Sequence, residues 1–372
     1  MAFSLKRITA KGYKSFDSEG VSLEPEAVTV LLGANGAGKS NFVSLFKMLN
    51  FLTTGSLQNY IASQGFAEPL LYYGSKTTGQ ISVELVFSDG PNEDTYSLIL
   101  ERDERGGLFI ADETISYHSP DHWSPQVLQL GSGLKESVLP QPVEWGDATR
   151  KFIFSLLSNC RVFQFHDTSS TAKIRERGYI NDNRYLRSDG GNLAAFLRVM
   201  REGAESRKYY DRVVRHIRVV VPQFGDFVLE PSADNREYIR LDWRETDSDY
   251  LFSPSQLSDG TLRFMALSAL FLQPPETLPK LIIVDEPELG LHPAAIAELA
   301  AMIKSASRHC QVLLATQSPR FIDEFGVGEI VVAERDERRS TLRRLDTDSL
   351  KEWLARYSLS ELWDKNVLGG RP

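Results

Sequence analysis

Cysteine is almost missing from this 372-residue chain, which holds only Cys160 and Cys310. Two thiols exclude a disulfide-stapled scaffold and a cysteine-rich zinc site, and such low usage suits the cytosol. No apolar run approaches the roughly 18 residues that a membrane helix needs. The opening Met1-Ala2-Phe3-Ser4-Leu5-Lys6 is too polar for a secretory signal. Positive charge is also in deficit: 42 Lys and Arg face 50 Asp and Glu, a formal charge of −8. Overall basicity therefore does not announce a nucleic-acid binder. There is no internal repeat and no low-complexity segment. Sustained heptads are missing between Ser40 and Ser258, which excludes a long coiled coil there. A soluble cytoplasmic protein is expected.

What is present is a globular balance, with 42% apolar and 25% charged residues, enough for a large core. The length points to one large domain or two intimately joined ones. Leu5 to Ala10 and Ala27 to Leu32 read as strands, and Asn41 to Leu52 as a helix. Residues 80–87 alternate with the two-residue period of a half-buried strand, and Tyr96 to Leu100 and Leu108 to Ile115 look like its neighbours. Residues 118–147 carry Pro120, Pro125, Pro140 and Pro142 and read mostly as loop. The later texture is α/β. Leu281 to Val284 and Gln311 to Ala315 are buried strands, Pro293 to Ser307 is a helix, and 329–335 with 340–345 form a late hairpin. This alternation predicts a largely parallel sheet, with the more antiparallel strands supplied by the amino-terminal half.

Charge is not spread evenly. Residues 171–220 hold twelve Lys or Arg against six Asp or Glu, a local +6. Leu193, Phe196, Leu197 and Met200 share one helix face, and Tyr210, Val213, Val214, Ile217 and Val221 share another. Lys208, Arg212 and Arg215 sit roughly opposite the second stripe. That face is either a solvated amphipathic surface or a phosphate-contacting one whose binding falls steeply with salt.

The strongest motif is Gly33-Ala34-Asn35-Gly36-Ala37-Gly38-Lys39-Ser40, which fits G-x-x-x-x-G-K-[ST] between a strand and a helix. Glycines let backbone N–H groups wrap a phosphate chain, and the helix N-terminus adds positive potential. Lys39 reaches the β- and γ-phosphates and the Ser40 hydroxyl ligates Mg²⁺. Leu281-Ile282-Ile283-Val284-Asp285-Glu286 ends an apolar strand in two carboxylates, where ligands bind in open α/β sheets. Asp285 suits Mg²⁺, and Glu286 suits orienting or deprotonating water. Gln256-Leu257-Ser258-Asp259-Gly260-Thr261 opens the helical run Leu262 to Leu272 with a Ser cap, another anion-ready terminus.

In order, the chain has the phosphate loop, Leu-Ser-Asp-Gly-Thr, the acidic strand, and Ala315-Thr316-Gln317-Ser318-Pro319. This set resembles the ABC-type ATPases, and among them the RecF/SMC/OLD branch rather than transporters. Leu257 to Thr261 resembles the family signature, more often Leu-Ser-Gly-Gly-Gln. Leu289-Gly290-Leu291-His292-Pro293 sits where the family has its D-loop, and Gln317 where most members have a switch histidine. Ile8-Thr9-Ala10-Lys11-Gly12-Tyr13-Lys14-Ser15-Phe16 resembles the opening of RecF and SMC heads. Tyr357 to Trp363 with Gly369-Gly370-Arg371-Pro372 is similar to the tail of bacterial ATPases grouped as AAA-family or SMC-like.

The resemblance implies a P-loop, ABC-ATPase-like α/β head, with a mixed β-sheet lobe and an α-helical signature subdomain. Within a single head, residues 1–168 would form the lobe with the phosphate loop. Residues 169–260 would form a helical, basic insert leading to the signature, and residues 261–372 an α/β part. It implies ATP and Mg²⁺ as ligands: Asn35, Gly36, Gly38, Lys39, Ser40, Asn41 and Lys14 bind nucleotide, Ser40 and Asp285 hold the metal, and Glu286 and Gln317 are catalytic. Ser258 and Gly260 would act in trans, so that ATP closes a head-to-head homodimer and hydrolysis reopens it.

Three departures stand out. Gln317 cannot carry a proton, Asp259 brings negative charge to the signature, and the Q-loop residue is not obvious. Gln164, His166 and Asp167 are candidates for the last, His166 otherwise being an ordinary loop histidine. The 55 residues after Gln317 are too few for an OLD nuclease domain, so a bare head is expected. Two functions follow. One is an ATPase coupled to DNA repair, chromosome maintenance or anti-phage defence, with DNA contacts through Lys208, Arg212 and Arg215. The other is a regulatory switch that holds or releases a separate effector protein without binding DNA. The amino-terminal pattern and the signature argue against a transporter ATPase.

Overall fold

The computed structural model describes residues 4–88, 90–121, 123–141 and 148–370. Met1-Ala2-Phe3, Pro142, Arg371 and Pro372 lie outside the described residues. In chain order the elements begin with β1 (Ser4–Lys11), β2 (Val21–Leu23), β3 (Val28–Leu32), α1 (Lys39–Thr53) and α2 (Leu57–Ser63). There follow β4 (Gln80–Ser88), β5 (Glu93–Arg102), β6 (Leu108–His118), β7 (Gln126–Gly131), α3 (Ala148–Ser158) and β8 (Cys160–Phe163). The middle holds β9 (Gly178–Tyr179), α4 (Leu193–Glu202), α5 (Arg207–Val220), β10 (Phe224–Val228), β11 (Tyr238–Ile239), β12 (Asp242–Glu245) and α6 (Asp259–Leu272). The last elements are β13 (Leu281–Asp285), α7 (Pro293–Ala306), β14 (Gln311–Thr316), α8 (Pro319–Ile322), β15 (Ile330–Asp336), β16 (Arg339–Arg344), α9 (Thr347–Leu354) and α10 (Leu359–Asp364).

The chain divides into two compact units. The first is Met1–Val162, Pro279–Ile283 and Cys310–Pro372, and the second is Phe163–Leu278 and Val284–His309. The first unit carries an antiparallel sheet in the order β2-β1-β4-β5-β6-β7. The second sheet has the order β16-β15-β3-β14-β13-β8. In it β3 pairs in parallel with both β14 and β15, and β15 turns back antiparallel into β16. Flanked on both edges, β3 is buried at every residue, as its unbroken Val-Thr-Val-Leu-Leu run requires. Helix α1 presents Phe42, Val43, Phe46 and Leu49 to one apolar cluster, which also contains Ile8, Val83 and Leu85 of one sheet and Leu31 and Leu313 of the other.

The longest elements of the second unit are helices α4, α5, α6 and α7. Helix α6 is buried from Leu262 to Leu272 and packs against α5 and α7. The 169–260 stretch also contains the antiparallel pair β10–β12. There Phe224, Trp243 and Phe252 stack, with ring centroids 5.9 Å and 4.5 Å apart. These aromatics come from three separate segments and form the core of a small sheet.

Residues 118–147 are mostly loop where described, but the short strand β7 extends the antiparallel sheet within them, which the sequence reading did not anticipate. Its Gln126-Val127-Leu128-Gln129 stretch is exposed on both faces, so the edge strand lacks the alternation by which strands are read. Both cysteines are buried, and neither is in a disulfide. Burial pushes each thiol up to about 12. Among the described residues no helix is long and apolar enough to cross a membrane.

Glu113 on β6 is fully buried. Tyr96 donates to its carboxylate at 2.8 Å, and Ser137 donates as well. Burial raises its pKa above the ordinary glutamate value of 4.5, against the pull of the two hydroxyls. A raised carboxyl stabilises the fold below that ordinary value, and the contribution is lost as pH rises through the folded value. Glu113→Gln is expected to keep the hydroxyl contacts and flatten the decline in stability above pH 4.5. Urea melts of both proteins across pH 4 to 8 test this, and an unchanged pH slope refutes it.

Candidate functional site

In the first unit the phosphate loop grows out of sheet register. Leu32 pairs with Thr316 on one side and Val332 on the other. Gly33 therefore leaves the sheet with Gln317 just past the end of β14 on one side and Ala333 within β15 on the other. Two glycines are sterically required. A Cβ on Gly33 would lie 2.4 Å from the Ala333 carbonyl oxygen. One on Gly38, whose φ is +107°, would lie 2.3 Å from Ser340 Oγ. Lys39 opens α1 and is buried, and its Nζ donates to the Gly33 oxygen at 2.6 Å and the Ala34 oxygen at 3.0 Å. Asn35, Gly36, Ser40 and Gln317 are exposed.

A hydroxyl knot braces this turn. Asn41 Nδ2 donates to Ser15 Oγ at 2.7 Å, and Ser340 Oγ donates to the same atom at 2.8 Å. The Ser340 amide donates to the Ser15 carbonyl at 2.8 Å. Lys14 holds a left-handed φ of +52°, and its Nζ donates to Ser44 Oγ at 3.0 Å. Burial first, and Lys47 second, hold its pKa below the usual lysine value. Ser340 has no signal in the sequence, since it meets Ser15 across 325 residues.

In the second unit Asp285 ends its strand buried, and Glu286 follows, half-buried, with φ at +43°. A glutamate in this left-handed region is strained. The turn is held by Leu289 N–H donating to the Glu286 carbonyl at 3.2 Å and Leu291 N–H to the Glu288 carbonyl at 3.0 Å. Of the three Q-loop candidates, His166 comes to this strand end, with Nε2 2.8 Å from the Asp285 carbonyl oxygen. Gln164 is half-buried and bonds Ser188 through its main chain. Asp167 is exposed and caps its own turn at Ser169.

Arg263, which sequence reasoning missed, is buried among these loops. It donates to the carbonyls of Phe165 at 2.9 Å, His166 at 3.2 Å and Leu289. Burial lowers its pKa, opposed by the charges of Asp259, Glu286 and Glu288.

Ser258 caps α6, its Oγ accepting from the Thr261 amide at 3.1 Å. A Cβ on Gly260 would lie 2.2 Å from the Gly290 carbonyl oxygen, so the signature and the D-loop segment touch through backbone alone. The negative charge of Asp259 is met by Arg175 at 2.7 Å. The Arg175 side chain is only 8% exposed, while that of Asp259 is 67% exposed. Arg175 donates also to the carbonyls of Thr168 at 2.8 Å, Leu257 at 3.2 Å and Pro254. It is thus the strut of the signature turn, and nothing in its spacing from Ser258 signals that.

On α5 the stripe of Tyr210, Val213, Val214 and Ile217 is buried. Opposite it Lys208 and Arg215 are exposed and Arg212 is half-buried. Arg207, one residue before Lys208, is paired with Asp211 at 2.9 Å.

Residues 147–323 match a domain family described as "AAA domain, putative AbiEii toxin, Type IV TA system". The match takes in the signature, the acidic strand and Gln317, and leaves out the phosphate loop. The Old nuclease of Escherichia phage P2 is 21% identical over 397 residues, covering 95% of this chain. The chain spans 63% of the length of that relative. Among solved structures, an SmcHead bound to the C-winged helix domain of ScpA superposes with a TM-score of 0.59 at 16% identity. It covers 94% of this chain and 99% of that one. An Smc head domain with an extended coiled coil, bound to the C-terminal domain of ScpA and derived from Pyrococcus furiosus, superposes at 0.55 and 13% identity. It covers 95% of this chain and 99% of that one. The fold is that of an SMC head.

Breaking the Arg175 strut strands backbone carbonyls, whereas removing the exposed Asp259 charge does not. Arg175→Ala is expected to cost about 2–3 kcal/mol, and Asp259→Asn less than about 1 kcal/mol. Equal losses in urea denaturation would contradict the strut.

Proposed function

We propose that this chain, an SMC/OLD-like ATPase head, binds ATP with Mg²⁺ on its phosphate loop and hydrolyses it within a head-to-head homodimer. The observation that carries this reading is the glycine cradle around Lys39, where side chains at Gly33 and Gly38 would collide with neighbouring strands. The lysine amino group is aimed at loop carbonyls and is ready to exchange them for phosphate oxygens, a charge-assisted contact of about 1.5–3 kcal/mol. Asn35, Gly36, Ser40, Asn41 and Lys14 surround that turn.

The donor set suits Mg²⁺. Among the described residues no group of three His, Cys, Asp or Glu side chains could hold a metal, and Mg²⁺ on a nucleotide needs only one or two protein oxygens beside phosphates and water. The Ser40 hydroxyl and the Asp285 carboxylate would hold it. When bound, the ion neutralises charge on the phosphate oxygens. Glu286 orients and deprotonates the attacking water, and its strained backbone fits a side chain kept in one position. Gln317 hydrogen-bonds the phosphate or the water without taking a proton. Ser258 and Gly260 of a second copy would bind the γ-phosphate at the α6 N-terminus. ATP would thus favour the closed dimer because only that state makes those contacts.

The cycle would be coupled to DNA processing such as repair, chromosome maintenance or anti-phage defence. The outward cations of α5 support this. A second reading, a switch that holds or releases an effector protein, is favoured by the toxin and TA system in the description of the matching family.

Light scattering of Glu286→Gln with and without ATP and Mg²⁺ tests the dimer. A doubling of mass with ATP, abolished by Ser258→Arg, is expected, and a mass that stays monomeric throughout refutes it. DNA coupling has its own test. Lys208→Glu, Arg212→Glu and Arg215→Glu together are expected to abolish DNA binding that falls steeply with salt. Binding that is absent or salt-insensitive in the unmodified chain would favour the effector switch.

A further inference from the structure

Of the asparagines in the chain only Asn35 is followed by glycine, and the pair lies at the tip of the phosphate loop. Both residues are exposed. Ala37 N–H donates to the Ala34 carbonyl at 3.2 Å, which makes residues 34–37 one tight turn with Asn35 and Gly36 at its centre. Gly36 holds φ at +80°, a left-handed conformation that glycine adopts without strain. Gly33 and Gly38 are crowded by their neighbours, whereas a Cβ placed on Gly36 would meet nothing within 4 Å. Among the described residues neither the Gly36 N–H nor the Asn35 side-chain amide makes a hydrogen bond.

This exposure has a chemical meaning. The backbone nitrogen that follows an asparagine can attack that asparagine's own Cγ and close a five-membered ring. Two things ordinarily prevent it. A side chain on the following residue screens the nitrogen, and hydrogen bonds hold the side-chain amide or the nitrogen elsewhere. Asn41, in the first turn of α1, has both protections. Its Nδ2 donates to Ser15 Oγ at 2.7 Å, and the next nitrogen belongs to Phe42 and donates to the Gly38 carbonyl at 3.0 Å. Asn192 is held likewise, its Nδ2 donating to the carbonyls of Asp182 at 2.9 Å and Tyr185 at 2.7 Å. Asn35 has neither protection, because its neighbour carries no side chain and the turn is open to water.

We infer that Asn35 is a site of spontaneous covalent modification, and that nucleotide on the phosphate loop shields it. The Gly36 nitrogen attacks Asn35 Cγ. The new C–N bond forms as the Cγ–Nδ2 bond breaks, and the side-chain amide leaves as ammonia with the proton that the Gly36 nitrogen gives up. Water then opens the cyclic imide. Opening at Cγ leaves aspartate, and opening at the main-chain carbonyl leaves isoaspartate, with one extra carbon in the main chain. Water is the only other reactant. Either product spoils the cradle. The new carboxylate sets negative charge among groups that serve phosphate, and isoaspartate lengthens a loop already pinned at Gly33 and Gly38 by their close neighbours. The shield rests on the reading of the loop as a nucleotide site, since phosphate oxygens accept from its N–H groups and cover the nitrogen. A head kept loaded persists, and one left empty is retired.

Trypsin makes the test direct. Cleavage after Lys14, Lys39 and Lys47 puts Asn35 in the peptide 15–39 and Asn41 in the peptide 40–47. The full chain is aged in mildly alkaline buffer, with and without a non-hydrolysable ATP analogue and Mg²⁺, then digested and weighed by mass spectrometry. The 15–39 peptide is expected to gain the mass of an amide turned into an acid while 40–47 stays unchanged. The same peptide from Asn35→Gln, whose longer side chain must close a six-membered ring, is expected to stay unchanged as well. Saturating analogue is expected to slow conversion on the order of tenfold. In calorimetry Asn35→Asp is expected to bind ATP on the order of tenfold more weakly. An intact 15–39 peptide, after ageing that converts the same peptide once cut from the chain, overturns the inference. Conversion at one rate with and without the analogue, in a chain that calorimetry shows to bind it, overturns the shield. A fresh chain that binds no nucleotide instead removes the phosphate-loop reading, and the mass of the 15–39 peptide still decides the modification.

Discussion

The contact of Gly38 with Ser340 and Ser15 governs the first unit. At this point three distant stretches of chain come within hydrogen-bonding reach: the opening segment, the start of α1 and the late β15–β16 hairpin. Because Gly38 has no side chain, the hairpin can approach the helix start closely enough for Ser340 to bond Ser15. Any side chain there would push the hairpin away and with it β15, the parallel neighbour of β3. The geometry of the loop and the order of the sheet are therefore one constraint rather than two.

The second unit shows the same economy by different means. Gly260 lets backbone meet backbone at Gly290, and two arginine side chains with little exposure fasten the loops around that meeting. Arg263 ties the loop holding His166 to the loop after Glu286, and Arg175 ties the signature turn to Thr168 and Pro254. Arginine suits this work because its rigid fork satisfies several carbonyls at once. The aspartate that departs from the usual signature is one more acceptor on that fork, which explains how a carboxylate can stand at this position.

What was legible in the sequence was what is local. The phosphate loop reads as eight consecutive residues whose backbone demands are carried by glycines. The buried strands read as short apolar runs, and α4 and α5 read from stripes that turned out buried. What escaped depends on partners far along the chain. Strand β7 pairs at an edge without burying a face, so it has no period. Ser340, Arg175 and Arg263 act across 325, 84 and 97 residues, and neither serine nor arginine announces a distant acceptor by its spacing. Among the Q-loop candidates only the folded chain distinguished His166, by the carbonyl it reaches.

The two buried thiols have a consequence of a different kind. With both pushed up to about 12, almost no thiolate exists at neutral pH, and it is the thiolate that reacts with oxidants and alkylating reagents. Cys160 and Cys310 are therefore poor targets for thiol-directed alkylating reagents. A single cysteine introduced on the surface would be the favoured site of thiol labelling, so probes for distance or proximity could be attached without first replacing the two buried cysteines.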